Sequence, residues 1–142
     1  MILGVLAFNA NGIMRISRIY HPISKEEIIK KILGVKTSYH NIILTKEYTI
    51  VYEKYAGLFI SFVVRDENEL GVLDLINRFV IVLDKYFGRA CELNLVYNFD
   101  AVLNLLDEFI LGGVCIELDP NKVVELVCYE EMKDKQSLIN KL

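Results

Sequence analysis

The chain has 142 residues, a natural size for one domain with a single hydrophobic core, and 54% of them are hydrophobic. Its 16 basic and 19 acidic residues give a net charge of −3 without a basic stripe, which argues against nucleic-acid binding. The longest apolar run, Phe79–Leu83, is far shorter than the about 20 residues of a membrane-spanning helix, and the opening MILGVLAF lacks the basic segment of a signal peptide. The apolar excess therefore predicts a second apolar surface that an obligate partner covers.

The first half of the chain predicts five strands and one helix. The strands are segments rich in β-branched, aromatic or alternating apolar residues, and they cover Ile2–Phe8, Ile13–Tyr20, Ile42–Leu44, Tyr48–Glu53 and Leu58–Val64. Asn11-Gly12 favours a tight hairpin turn between the first two. In the second strand, simple alternation places Arg15 on the face opposite Ile16. A helix over Lys25–Leu33 follows from a capping Ser24 and from apolar residues on one face.

The second half predicts three helices. The first, Asn68–Phe87, is apolar on most of its circumference, so we expect it to pack on the sheet and to face another protein as well. The second, Phe99–Leu111, is expected to end at Gly112-Gly113. The third begins with a capping aspartate and a proline, and is expected to run from Pro120 to about Glu131.

The resulting order, β-β-α-β-β-β-α-α-α, predicts an α+β sandwich of five strands with helices on both faces. We interpret residues 1–142 as one domain without repeats or linkers, and we expect the charged tail over 131–142 to fray or to dock on a partner.

No set of residues suggests catalysis, a metal or a cofactor. His21 and His40 lack an acidic or metal-binding partner at a suggestive spacing, and both are interpreted as solvated loop residues. Asp107 and Glu108 diverge by about 100° on a helix, so they are interpreted as a solvated face and not as a catalytic pair. The cysteines are too scattered for a disulfide framework or a zinc site and are interpreted as buried reduced thiols: Cys91, Cys115 and Cys128. We therefore expect neither an enzyme nor a bound cofactor.

Three segments carry a resemblance to a known family. They are MILGVLAFNANGIMRISRIYHPIS at the start, YEKYAGLFISFVV over Tyr52–Val64, and ELGVLDLINRFVIVLDKYFGRACELNLVYNFDAVLNLLDEFILGG over Glu69–Gly113. In this order and spacing they resemble the small (sigma) subunits of clathrin adaptor complexes over nearly the whole chain. The related small chains of the COPI coat share the architecture but match less well.

The resemblance implies a longin-like (profilin-like) fold, in which a five-stranded antiparallel sheet lies between one helix and the remaining helices. It also implies a permanent place in a heterotetramer with two large and one medium adaptor subunits, which sorts transmembrane cargo into coated vesicles. Such a subunit is cytoplasmic and contacts the membrane only through its complex. In several adaptor types the small chain and a large chain jointly bind acidic dileucine tails of the form D/E-x-x-x-L-L/I.

The resemblance further implies which residues bind that signal. The apolar residues that would form a slot for its two leucines are Ala56 and Leu58 on a strand, Val80 on the long helix, and Ala90, Leu93 and Leu95 in the connection after it. Arg15 matches the family's basic residue on the second strand, which would attract the acidic residue of the signal. Arg89 stands where the family usually has a small polar residue, and it either adds a cation or blocks the slot. Alternatively, Val80, Leu93 and Leu95 are ordinary core residues, and Arg15 is a solvated residue of its strand.

Other features leave alternatives open. Between Ile23 and Tyr52 the chain is several residues shorter than is usual in the family, so a surface that touches the large chain is expected to be trimmed.

The type of adaptor is left open by the sequence. The endosome-to-lysosome type is resembled by ELGVLDLI and GGVCIELDPNKVVE, whereas the clathrin-linked types are resembled by KYFGRACEL and YNFDAV. An alternative function from a different class is a longin-type regulatory module for small GTPases or SNAREs, which would be soluble without any large adaptor chain.

Overall fold

A five-stranded antiparallel sheet forms the centre of the chain in a computed structural model that describes residues 1–35 and 41–141. The strands are β1 (Ile2–Asn9), β2 (Met14–Ile19), β3 (Ile42–Leu44), β4 (Thr49–Tyr55) and β5 (Leu58–Val64). They lie in the order β2-β1-β5-β4-β3, and every neighbouring pair is antiparallel. The first and fifth strands of the predicted set, which are distant in the sequence, are neighbours in the sheet, since β1 pairs with both β2 and β5.

Five helices and a small hairpin complete the described part of the chain. The helices are α1 (Lys25–Leu33), α2 (Glu69–Phe87), α3 (Glu92–Tyr97), α4 (Phe99–Phe109) and α5 (Pro120–Asn140). The hairpin pairs β6 (Ile110–Leu111) with β7 (Val114–Cys115). The predicted α+β class, with helices on both faces of a five-stranded sheet, is confirmed.

Alternation along the strands produces one hydrophobic cluster on each face of the sheet. On one face, α1 buries Ile28 and Ile32 against Leu6 and Phe8 of β1. On the other face, α2 and α4 cover the sheet, and α5 packs on both of them. The long helix α2 thus contacts strands on one side and helices α4 and α5 of its own chain on the other. Part of the apolar surface that was expected to face another protein is therefore covered within the chain.

Two helix starts follow the predicted capping residues. The Ser24 hydroxyl accepts a hydrogen bond from the backbone N–H of Glu27 at 3.3 Å, and Asp119 accepts one from Asn121 at 3.0 Å. The start of α2 differs: Asn68, expected as its first residue, is instead its capping residue, and its side chain accepts a hydrogen bond from the N–H of Gly71 at 3.0 Å. These short-range bonds satisfy backbone donors that the first turn of a helix leaves unpaired.

Two predicted helix ends are wrong, and one short helix was not predicted. The helix predicted over Phe99–Leu111 ends at Phe109, because its last two residues pair with Val114–Cys115 across the two glycines. The connection after α2 contains the short helix α3, which the sequence did not predict. The last helix continues to Asn140 instead of ending near Glu131, since the tail is made of good helix formers and contains no Gly or Pro.

Candidate functional site

Four segments meet at one end of the sheet: the β1–β2 turn, the β4–β5 turn, the end of α2 and the helix α3. Asn9 at the end of β1 is paired with Leu58 at the start of β5, so the two turns lie side by side. The Asn9 amide also donates a hydrogen bond to Glu92 of α3 at 3.0 Å. The Tyr55 hydroxyl donates one to Asp84 near the end of α2. This end of the sheet contains most of the residues that the resemblance implies for cargo binding.

The two turns differ in construction. The β4–β5 turn has two central residues with positive φ, Ala56 at +49° and Gly57 at +82°, as a tight hairpin requires. In the β1–β2 turn Gly12 takes a φ of +80°, while the Asn9 side chain accepts hydrogen bonds from the backbone of Asn11 and Ile13, both at 3.0 Å. Ala56 is therefore an exposed turn residue and not a strand residue, which corrects its predicted position.

Arg15 reaches this site because of an irregularity in β2. The pairing joins Ala7 to Ile16 and Phe8 to Met14, so Arg15 is left over as a β-bulge. A bulge shifts the alternation of a strand by one residue. Met14 consequently packs with the cluster under α1, and Arg15 points to the α3 side. The prediction that Arg15 and Ile16 lie on opposite faces is wrong for this reason.

The Arg15 guanidinium is bound to a carboxylate of its own chain. Its Nε donates to Glu92 Oε1 at 2.9 Å, and the same oxygen accepts the bond from Asn9. Hydrogen bonding to Arg15, and then to Asn9, lowers the pKa of the Glu92 carboxyl below its ordinary value. Arg15 is thus neither a free cation nor a solvated strand residue. Glu92 was missed from the sequence because 77 residues separate it from Arg15.

A second carboxylate fixes the connection between α2 and α3. Asp84 Oδ1 accepts hydrogen bonds from the Tyr55 hydroxyl and from the backbone N–H of Ala90, the latter at 3.1 Å. Burial and the bond to Asp84 raise the pKa of Tyr55 to about 12. One side chain therefore joins the β4–β5 turn, the end of α2 and the start of the connection.

The apolar residues of the predicted slot divide into buried and accessible ones. Leu58, Ala90 and Leu95 are buried in the cluster between the sheet and α2, at 1%, 5% and 2% exposure. Val80 is half-buried against the same cluster, and it shares a helix face with Asp84 four residues later. Leu93 is 61% exposed. The core interpretation therefore describes Leu95 correctly but is wrong for Leu93.

Arg89 lies on the surface directly after Gly88, which ends α2 with a φ of +83°. Within residues 1–35 and 41–141 it has no hydrogen bond or ion pair. Its positive charge acts on Tyr55, where it opposes the rise of the tyrosine pKa that burial causes. The charge of Arg89 therefore lies close enough to the β4–β5 hairpin to act on Tyr55.

The structure also changes the interpretation of residues outside the site. Asp107 is not a solvated carboxylate, because Arg18 binds both of its oxygens at 2.9 and 2.6 Å and so ties β2 to α4. The cysteines are free thiols, but Cys91 and Cys128 are exposed and not buried as predicted. His40 lies outside the described residues.

None of the helices in the described part of the chain has a stretch that is both long and apolar enough to cross a lipid bilayer. Among the same residues, no group of three or more His, Cys, Asp or Glu side chains is arranged to hold a metal ion.

Comparison with known proteins agrees with the sequence resemblance. AP-1 complex subunit sigma-1 of Dictyostelium discoideum is 35% identical to the chain over 147 aligned positions, which cover 98% of this chain and 94% of that protein. AP-2 complex subunit sigma of Schizosaccharomyces pombe is 34% identical, and the match covers 89% of this chain and 95% of that protein.

The fold is also similar to that of a chain in a homology model of the full-length AP-3 complex in a stretched open conformation. The TM-score is 0.71 at 29% identity, with 100% of this chain and 99% of the other covered. Because these relatives are named for three different adaptor complexes, they do not distinguish between adaptor types. The family model described as "Clathrin adaptor complex small chain" matches residues 1–134. The chain therefore belongs to the family of clathrin adaptor complex small chains.

Proposed function

We propose that this chain is the small subunit of a heterotetrameric adaptor complex of vesicle coats, bound to two large subunits and one medium subunit. The family match over residues 1–134 is the observation that carries this proposal, and the likeness to a chain of an AP-3 complex supports it. In this role the chain is a structural subunit in vesicle-mediated protein transport. It works in the cytoplasm and reaches coated membranes only through its complex.

Exposed apolar side chains support a permanent protein partner. They include residues of the β6–β7 hairpin, of the segment before α5 and of α5 itself: Leu111, Val114, Ile116, Leu118, Leu126, Tyr129 and Met132. A free monomer rarely exposes so many large apolar side chains close together in the chain, whereas a subunit of an obligate complex buries them against its partners.

We further propose that the subunit helps to bind acidic dileucine signals at the end of the sheet where α3 meets the two turns. Leu58, Ala90 and Leu95 are packed in the core there, so a bound leucine displaces part of the connection between α2 and α3. Leu93, which is largely exposed, and the half-buried Val80 are then the first residues that a leucine contacts.

The leucines are expected to provide most of the affinity. Burial of each leucine gains roughly 1.5–3 kcal/mol before the cost of ordering the peptide, whereas an exposed ion pair contributes about 0–1 kcal/mol. We therefore expect micromolar binding that depends on both leucines and only weakly on the acidic residue.

Purification of the affinity-tagged full chain from its native cell tests both parts of the proposal. We expect large and medium adaptor chains to co-purify with it. Titration of that complex with fluorescent peptides should give micromolar binding for a Leu-Leu tail and much weaker binding for the matched Ala-Ala tail. Recovery with a GTPase or a SNARE but no large chain would contradict the adaptor role, and equal binding of both tails would contradict cargo binding.

A further inference from the structure

The basic side chains at the proposed cargo site differ in whether their charge is available. Arg15 donates to Glu92 at 2.9 Å, and Asn9 donates to the same carboxylate oxygen. The two charged side chains are only 27% and 32% exposed, so water screens this pair less than a pair on the open surface. The positive charge of Arg15 is therefore largely neutralised by its own chain.

The geometry also makes Arg15 an unfavourable partner for a second carboxylate. An incoming acidic side chain that displaced Glu92 would leave that residue without its ion pair, directly beside the new negative charge. If Glu92 stayed in place, the two carboxylates would share one guanidinium and repel each other. Either way, part of the gain from the new ion pair is lost.

Lys54 is the next cation along the β4–β5 hairpin, and it lies on the other face of the sheet. Its Nζ is 5.7 Å from the centroid of the Phe59 ring, which packs with the cluster under α1. Tyr55, the following residue of β4, points to the α2 side and contacts Asp84. Lys54 is thus separated from the cargo site by the sheet.

Arg89 lacks both restrictions, namely the internal ion pair of Arg15 and the position of Lys54 on the other face of the sheet. It is exposed, and among the described residues it has no hydrogen bond or ion pair. Its backbone position is fixed by both neighbours, since Gly88 ends α2 and the N–H of Ala90 is held by Asp84 at 3.1 Å. A guanidinium at the mouth of the connection, whose donors are not bound to any of the described residues, can bind a carboxylate through two parallel hydrogen bonds.

We propose that Arg89, and not Arg15, binds the acidic residue of the sorting signal in this chain. The inference rests on the proposed function and concerns only which side chain recognises the acid. Arg15 has a different part: with Asn9 it holds Glu92, and through it α3, against the ends of β1 and β2.

The test compares two Leu-Leu peptides, one with Glu and one with Gln at the acidic position, on the complete tagged complex purified from cells. The measured quantity is the acid preference, which is the ratio of their dissociation constants. We expect an acid preference of about three- to fivefold for the wild-type complex, as an exposed ion pair allows, and a decrease with added salt. Arg89→Gln should reduce it to about one, and Arg89→Lys should keep most of it.

Two further variants separate Arg89 from the alternatives. Lys85→Gln removes another exposed positive charge from the last turn of α2, and should leave the acid preference unchanged. The double variant Arg15→Gln/Glu92→Gln removes both members of the internal pair without changing net charge. It should retain the acid preference, even if the absolute affinity falls because α3 is held less firmly.

An Arg89→Gln complex with the wild-type acid preference would overturn the proposal. So would loss of the preference in the Arg15→Gln/Glu92→Gln complex, or a wild-type complex with no preference at all. An Ala-Ala peptide carried through the same titrations keeps the two proposals apart. Binding that does not depend on the leucines refutes the proposed cargo function, whereas leucine-dependent binding with an unaltered acid preference in Arg89→Gln refutes only the role of Arg89.

Discussion

At the scale of single residues, Asp84 occupies a position that its charge alone does not favour. It lies in the last turn of α2, where the partial negative charge of the helix end repels a carboxylate. Its hydrogen bonds to Tyr55 and to the backbone of Ala90 offset this repulsion. Without the carboxylate, both donors would lack their acceptor in a half-buried place.

Replacement of Asp84 by alanine should therefore loosen the connection after α2 without unfolding the protein. Hydrogen bonds to a charged group contribute about 1.5–3 kcal/mol, so we expect backbone amides of Gly88–Leu95 to exchange with deuterium about tenfold faster or more. Asp74→Ala is a matched control on the same helix, because among the described residues Asp74 forms only an exposed pair with Arg78. Similar exchange in the two variants would show that Asp84 does not hold the connection.

At the scale of elements, the β6–β7 hairpin depends on one glycine. Gly113 takes a φ of +89°, and its carbonyl accepts a hydrogen bond from the N–H of Ile2 at 2.9 Å. A Cβ atom at this position would lie 2.4 Å from the carbonyl oxygen of Ile2. Gly113 thus joins the two-residue strands to the start of β1 in a space that only glycine fits. The sequence predicted only that Gly112-Gly113 ends a helix.

Gly113→Ala should therefore be strongly destabilising, since it combines a strained φ with a clash against backbone. Gly112→Ala is the matched control: its φ is +59°, but a Cβ there meets nothing within 4 Å. We expect Gly112→Ala to cost about 1–2 kcal/mol, and Gly113→Ala to cost clearly more and to lower the soluble yield. Thermal unfolding and yield of the co-purified complex measure both, and equal losses would mean that the contact with Ile2 contributes little.

Elements whose bounds are determined by neighbouring residues were predictable from the sequence, and elements that depend on contacts with distant segments were not. The helix Lys25–Leu33 and the strand Leu58–Val64 have the predicted bounds, because a cap or a run of apolar residues determines them locally. The six-residue helix α3 and the two-residue strands β6 and β7 are too short to have a clear period. Their positions depend on contacts with distant segments.

The same distinction applies to the candidate site. The buried Leu95 matches its alternative interpretation as a core residue, but Leu93, which is as apolar and lies two residues away in the same connection, is 61% exposed. The orientation of Arg15 was predicted wrongly, because a single extra residue in β2 reverses the alternation and no turn signal marks it. The partner of Arg15 is 77 residues away in the sequence, so only the folded chain reveals that the charge of Arg15 is neutralised by an ion pair.

At the scale of the whole molecule, the high hydrophobic content of the chain agrees with the many apolar side chains that remain on its surface. The chain is 54% hydrophobic, and its two clusters account for the residues buried on the two faces of the sheet. Many large apolar residues remain outside these clusters, and Tyr129 and Met132 on α5 are 59% and 69% exposed. An adaptor subunit buries such a surface against a larger chain, whereas a freely diffusing regulator has to expose it to water.

The chain expressed alone should therefore self-associate, and it should form a single defined species when a large adaptor chain is co-expressed. Tyr129→Lys with Met132→Lys should make the lone chain more nearly monomeric and should reduce co-purification of the large chain several-fold. Asn121→Lys with Ser137→Lys adds the same two charges to exposed polar positions of α5, and should change neither property. Size-exclusion chromatography with light scattering measures the first effect, and the recovered ratio of the two chains measures the second. A wild-type chain that is monomeric alone at the same concentration would instead favour a free-standing regulator, because an uncovered apolar surface of this size promotes association in water.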